Sequence, residues 1–179
     1  SSDLLAEPAV AAFVQAFAAV LADGGLDGSY AACVLALPAA TVLGQDCAVI
    51  DPDAIHARRE ELRAACGRAC REGLLARYRE LADHGPCRHD HAAVARRRLR
   101  HACLAYLAAG DPALGVALAE ELYRNAGNMS DRQAALATLC QLEDPAREVV
   151  LAHFLATWRH EPLVLDKWFA TQAGSAISG

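Results

Sequence analysis

The chain has 179 residues and a net charge of −5, with 17 Lys and Arg residues against 22 Asp and Glu residues. This length suits one domain with a sizeable core, and the acidic balance argues against a nucleic-acid-binding protein, which usually carries a basic face. The composition includes 41 alanines and 16 arginines, both strong helix formers, and a single lysine, Lys167. We therefore predict an all-α protein.

The first predicted helices lie in the first fifty residues. Apolar periodicity predicts a helix over 8–22 that ends at two glycines, followed by shorter helices over 28–37 and 38–43. The longest apolar run of the first helix, 9–22, is too short to span a bilayer, so no membrane segment is predicted.

Asp-Pro pairs mark the starts of later helices, because proline fits the first helical position and the aspartate before it caps the end. They occur at Asp51-Pro52, Asp111-Pro112 and Asp144-Pro145. These pairs predict helices over 52–81, 112–125 and 145–160. Further helices are predicted over 91–110 and from Pro162 onward.

One more helix is expected between the last two Asp-Pro pairs. Ser130, with Gln133 three residues later, predicts its N-terminal cap as a capping box. Asp131 in the first turn suits the helix dipole, whereas Arg132 does not, so we expect Arg132 to have a partner outside this turn. Met129 is the only methionine, and its flexible side chain suits an adaptable contact.

Together these patterns predict about nine helices in antiparallel pairs, as an irregular α-solenoid or superhelical array. Residues 111–143 and 144–176 each open with Asp-Pro-Ala and each hold two predicted helices, which is a weak internal repeat. The chain lacks a starting methionine and ends without an apolar capping helix. We therefore expect residues 1–179 to be a single helical domain or a truncated part of one.

Cysteine usage favours the cytoplasm. The seven cysteines are odd in number and lie mostly on apolar stripes, which is typical of reduced core thiols; they are Cys33, Cys47, Cys66, Cys70, Cys87, Cys103 and Cys140. Acidic Asp3 and Glu7 also stand where a signal peptide would carry basic residues.

Searches for catalytic and metal-binding motifs give negative results. A zinc-peptidase helix needs two histidines four residues apart with a glutamate beside the first, but His160-Glu161 is followed by Pro162 and has Val164 at the second position. The pair Cys66 and Cys70 has no matching second pair. No catalytic residue, metal ligand or cofactor is therefore predicted in this chain.

Three segments resemble bacterial aminopeptidase N, and more narrowly its C-terminal helical domain. They read DPDAIHAR from Asp51, YRNAGNMSDRQAAL from Tyr123 and HEPLVLDKWFA from His160. The resemblance implies a parent enzyme that is a zinc exopeptidase removing N-terminal amino acids, with its zinc ligands in a catalytic domain absent from this chain. It also implies that the helical domain walls the active-site chamber and limits access to short or unfolded peptides.

The resemblance is most specific at 128–132 and 166–169. The candidate residues for the chamber wall or for contact with the parent's own catalytic domain are Asn128, Met129, Asp131, Arg132, Asp166, Lys167 and Trp168. The alternative for the first segment is a turn that only caps a helix. The alternative for the whole chain is a free-standing helical-repeat module that binds a peptide or protein partner, although the tetratricopeptide signature is missing.

Overall fold

Helices form all the regular secondary structure in the described part of the chain. The computed structural model describes residues 7–45, 49–83 and 85–177, so Asp3 and Cys47 lie outside it. Within these ranges the helices are α1 (Glu7–Ala22), α2 (Gly28–Leu35), α3 (Ala40–Gly44), α4 (Pro52–Ala69), α5 (Arg71–Glu80), α6 (His91–Gly110), α7 (Pro112–Asn125), α8 (Met129–Leu139), α9 (Ala146–Trp158) and α10 (Pro162–Ala173). The predicted all-α class is confirmed.

The helices group into two compact units. The first unit contains the described residues up to 83 together with Arg88–Asp111, and so holds α1 to α6. The second contains Gly85–Cys87 and the described residues from 112 onward, and so holds α7 to α10.

Helix α6 is the centre of the first unit, where it packs against α2, α4 and α5. Its buried face meets α1 as well, because the Tyr106 ring lies edge-on to Phe17 with ring centroids 4.6 Å apart. The Tyr106 hydroxyl donates to the carbonyl of Leu35 at the end of α2. The buried side chains of this unit include Phe17, Leu21, Leu35, Cys66, Leu74, Tyr78, Leu99 and Cys103.

The single long helix predicted over 52–81 is instead two helices, α4 and α5. The backbone turns at Cys70, whose φ of −104° and ψ of 17° depart from helical values. The break costs little, because the Cys70 amide still donates to the Cys66 carbonyl and the Leu74 amide donates to the Cys70 carbonyl, both at 2.9 Å. The apolar stripe of Cys66, Cys70, Leu74 and Tyr78 stays buried across the break, so both helices pack on α6.

Side-chain caps confirm several of the predicted helix starts. Asp51 accepts from the Ala54 amide at 3.0 Å, and Asp90 accepts from the Ala93 amide at 3.1 Å. Asp144 accepts from the Ala146 amide at 2.8 Å. Each bond satisfies one of the amides that a helix start leaves without a carbonyl partner.

Four of the six described cysteines are buried, as the apolar stripes predict. They are Cys66, Cys70, Cys103 and Cys140, whereas Cys33 and Cys87 are exposed. All six are free thiols.

The second unit is built from two helix pairs, and the predicted internal repeat is visible in it. Helices α7 and α8 fall within 111–143, and α9 and α10 fall within 144–176. Their shared core contains Leu118, Leu122, Leu136, Leu139, Val150, Leu151 and Phe154. Helix α9 ends at Trp158, because the chain turns before Pro162 starts α10.

Helix α10 differs from its neighbours because it has no buried residue. Phe169 on this helix is 56% exposed. The side of α10 that meets α9 carries the half-buried Leu165 and Trp168 instead.

Candidate functional site

The turn between α7 and α8 is capped by Asn128, so the predicted Ser130 cap is wrong. Asn128 has the extended backbone of a cap residue, and its side-chain oxygen accepts from the Asp131 amide at 2.9 Å. Its amide nitrogen donates to the Asp131 carboxylate at 2.8 Å. Asp131 is therefore the capping-box partner, three residues after the cap, a role that the sequence analysis gave to Gln133. Ser130 lies exposed in the first turn of α8.

Arg132 finds its partners on α7, as its unfavourable place in the first turn of α8 led us to expect. Its terminal nitrogen Nη2 donates to the Ala126 carbonyl at 3.0 Å, just beyond the end of α7. The guanidinium also lies over the Tyr123 ring, 5.7 Å from the ring centroid. A cation is favourable there, because the carbonyls at the end of a helix carry partial negative charge.

Tyr123 extends this network to α9. Its hydroxyl lies 2.9 Å from Nδ1 of His153, and the two rings meet edge-on. Burial raises the pKa of the Tyr123 phenol, while the nearby Arg132 charge opposes that shift. The phenol is therefore neutral at physiological pH, and it acts as a hydrogen-bonding link between helices.

Sequence reasoning missed Tyr123 and His153 as members of this site. Tyr123 was visible only as part of a segment resembling the aminopeptidase family, and His153 carried no motif. Their separation along the chain, 30 residues, is close to the period of the internal repeat. Equivalent helices of stacked repeats lie side by side, which is the one signal that could have paired them.

The second predicted segment is held by different contacts. The Trp168 indole nitrogen donates to the Leu151 carbonyl on α9 at 3.0 Å, and its ring lies edge-on to Phe169. Asp166 and Lys167 are both exposed. Trp168 thus holds α10 against α9, while the charged side chains of Asp166 and Lys167 are exposed at the surface.

The buried cysteines Cys66 and Cys103 are protonated near neutral pH. Burial raises the pKa of Cys66 to about 11 and that of Cys103 to about 12, so neither supplies a thiolate near neutral pH. In the part of the chain that the structure describes, no group of three His, Cys, Asp or Glu residues could hold a metal ion. The zinc implied by the family resemblance is therefore not assigned to any of these residues.

Exposed apolar side chains are concentrated in the first fifty residues. Those in the described part of this region are Phe13, Tyr30, Val34, Val42, Leu43, Val49 and Ile50. These residues lie on α1, α2 and α3 and on the stretch that leads to α4. None of the described helices is both long and apolar enough to cross a membrane.

Comparison with protein families gives a match over nearly the whole chain. The model of a family described as a domain of unknown function, DUF3458_C, with ARM repeats matches residues 4–179. ARM repeats are stacked helical units, in agreement with the predicted helical array.

Individual relatives are bacterial aminopeptidases N. The chain is 36% identical to aminopeptidase N of Escherichia coli over 90% of its own length and 18% of that protein. It is 36% identical to the Haemophilus influenzae protein over 82% of the chain, and 34% identical to the Caulobacter vibrioides protein over 89%. The chain therefore spans less than a fifth of the length of these relatives.

A solved structure shares the fold. Legionella pneumophila aminopeptidase A, crystallised with aspartic acid, matches 92% of this chain with a TM-score of 0.80 and 21% identity. The matched region is 20% of that protein. At this identity the likeness establishes the helical architecture alone.

Proposed function

Because this chain belongs to the family of C-terminal helical domains of bacterial aminopeptidase N, we propose that it is a non-catalytic domain of a larger zinc aminopeptidase. The observation that carries the proposal is 36% identity to a named aminopeptidase N over 90% of this chain. In this proposal the parent protein removes N-terminal amino acids from peptides, and both the zinc and the catalytic residues belong to its catalytic domain.

The domain's role in this proposal is to wall the chamber in which the parent binds peptides, limiting access to short or unfolded chains. The turn at Asn128–Arg132 supports such a role, because the Asn128–Asp131 and Arg132–Ala126 hydrogen bonds hold the turn that carries the half-buried Met129. The exposed Asp166 and Lys167 supply polar groups that contact peptide or the catalytic domain.

The parent's catalytic domain is the proposed partner of this chain. The exposed apolar residues between Phe13 and Ile50 support a contact of this kind. The six free thiols favour a reducing compartment, and we place the protein in the cytoplasm.

Substitutions in the full-length parent test the chamber role. Asp166→Asn and Lys167→Gln change exposed side chains, so the fold should be intact, while Arg132→Ala removes the link to α7. The proposal predicts a changed KM for longer peptides with little change for an aminoacyl arylamide. Arg124→Ala, an exposed position on α7, is the matched control.

Unchanged KM values across peptide lengths for all three variants, with unchanged melting of the full-length protein, would remove the chamber and interface role. The contacts of Arg132 would then have only their capping role between α7 and α8.

A further inference from the structure

Residues 174–177, which follow α10, lie against the end of α8, and we call this segment the strap. The side-chain amide of Gln141 binds the strap at two points. Its Nε2 donates to the Gly174 carbonyl at 3.0 Å, and its Oε1 accepts from the Ala176 amide at 3.3 Å. Gln141 therefore holds the strap through backbone groups and not through a particular side chain.

Ser175 is the second point of attachment. Its hydroxyl donates to the Cys140 carbonyl, and its oxygen accepts from the Ile177 amide at 3.1 Å. The last carbonyls of a helix have no amide partner within the helix, so this hydroxyl satisfies an acceptor that the end of α8 leaves free. Ser175 and Ile177 are half-buried, which makes the strap a packed part of the second unit.

The strap also bonds to a buried cation at the start of α9. Arg147 is 9% exposed, and its Nη2 donates to the Ile177 carbonyl at 3.4 Å. Its carboxylate neighbour, Glu148, lies 3.7 Å away and is 73% exposed. The buried Nε of Arg147 has no hydrogen-bond partner among the described residues. Because few acceptors replace the water that this guanidinium loses, the strap carbonyl matters to it.

Arg147 lies in turn beside Cys140, which is fully buried at the end of α8. Burial raises the pKa of the Cys140 thiol, while the charge of Arg147 and its hydrogen bond to the thiol oppose that rise. The strap thus bonds to both residues, to Cys140 through Ser175 and to Arg147 through Ile177. Release of the strap would remove part of what covers the thiol.

Helix α10 depends on the strap because little else holds its end. The helix has no buried residue, and its start at Glu161 has no side-chain cap. Trp168 holds its middle to α9 through the Leu151 carbonyl. Elements with few buried apolar contacts open at a lower free energy than the core, so α10 is the part of this unit that should open first.

We propose that release of the strap lets the end of α10 separate from α8 and exposes Cys140, while the rest of the second unit stays folded. The bonds that control this opening are those of Gln141 and Ser175, since both side chains connect the strap to the end of α8. The proposal is independent of the role proposed for the parent enzyme, because it concerns a local opening and no contact with substrate.

Site-resolved thiol labelling tests the proposal, because a buried thiol reacts only when local or global unfolding exposes it. The double variant Gln141→Leu and Ser175→Ala removes the side-chain bonds between the strap and the end of α8. We expect Cys140 to be labelled at least about tenfold faster in this variant than in the unchanged chain. The labelling rate of Cys103, in the core of the first unit, should stay the same.

Gln172→Leu is the matched control, since this glutamine donates to the Trp168 carbonyl of its own helix and not to the strap. It should leave the labelling of Cys140 unchanged. Unchanged Cys140 labelling in the double variant, or equal acceleration at Cys140 and Cys103, would overturn the proposal.

Hydrogen exchange of the unchanged chain gives a second measurement that needs no variant. The amides of Ala176 and Ile177 are bonded within the strap contacts, so they should exchange together and more slowly than free amides. They should also exchange faster than interior amides of α8 such as that of the fully buried Leu136. Strap amides without protection, or strap amides that exchange only as slowly as those of α8, would also overturn the proposal.

Discussion

Gly67 and Gly110 lie backbone against backbone where α4 crosses α6. A methyl group built on Gly110 would lie 2.5 Å from the carbonyl carbon of Gly67, and one built on Gly67 would overlap the Tyr106 carbonyl. Neither contact involves a flexible side chain that could move aside. The close approach brings Cys66 on α4 and Cys103 on α6 into full burial.

Gly67→Ala should therefore destabilise the chain by roughly 1–3 kcal/mol, because backbone must shift to admit the methyl group. Gly73→Ala is the matched control, since it also lies in a helix but faces only Leu21 at 3.4 Å. That change should be neutral or slightly stabilising, because alanine favours helix over glycine. Urea unfolding followed by circular dichroism measures both variants, and equal unfolding midpoints would contradict the close packing.

Asn128→Ala should cost about 1 kcal/mol, the usual loss for removing an N-cap side chain. Asn128 both accepts from the Asp131 amide and donates to the Asp131 carboxylate, whereas Ser130 is exposed. Ser130→Ala should change the free energy of unfolding by no more than a few tenths of a kcal/mol. The reverse order of the two effects in urea unfolding would restore Ser130 as the cap.

The contrast between Asn128 and Ser130 shows where sequence reasoning succeeds and where it stops. Aspartate caps a helix start through local geometry, with proline after it at Asp51, so the starts at Asp51 and Asp90 could be predicted. Asn128 and Ser130 are both good caps, and the choice depends on Asp131 and on Arg132 reaching α7. The Asn128–Asp131 contact is local, whereas the Arg132 contact forms only when the two helices pack.

The break at Cys70 and the exposure of Phe169 have similar explanations. The apolar stripe of Cys66, Cys70 and Leu74 is compatible with one long helix and equally with two shorter helices that follow the surface of α6. Periodicity places Phe169 and Leu165 on similar faces of α10, but α9 offers contact to only part of that surface. Tertiary packing decides both cases, and the linkage of Tyr123 to His153 is of the same kind.

Thiol labelling under native, reducing conditions should separate the cysteines by burial. Cys33 and Cys87 are exposed and should react rapidly, whereas Cys66, Cys70, Cys103 and Cys140 should react only after unfolding. Mass spectrometry of proteolytic peptides assigns each labelled site. Rapid labelling of Cys103 in the folded chain would contradict its place in the core.

The folded chain should lose stability in alkali. Burial raises the pKa of Cys103 from 9.0 to about 12, so the folded chain holds this proton more tightly than the unfolded chain. The resulting stabilisation is complete below pH 9 and is lost as the pH rises from 9 toward 12. Removing the thiol should reduce the slope of unfolding free energy against pH by up to about 1.4 kcal/mol per unit, the limit for one proton.

Urea unfolding of Cys103→Ala between pH 8 and 11 measures this slope, with the exposed Cys33→Ala as the control. The Cys103→Ala variant is expected to be less stable overall, because the substitution leaves a small cavity. Its free energy of unfolding should, however, change less with pH in the alkaline range. A slope equal to that of the control would show that the thiol titrates normally in the folded chain.

The most direct test of the proposed function compares this chain with the protein encoded by its full reading frame. Both are purified without chelators, assayed for hydrolysis of an aminoacyl arylamide, and analysed for bound zinc. Our account predicts chelator-sensitive hydrolysis and stoichiometric zinc in the full-length protein, and neither in the 179-residue chain. Chelator-sensitive hydrolysis by the 179-residue chain itself, or an inactive full-length protein without zinc, would contradict it.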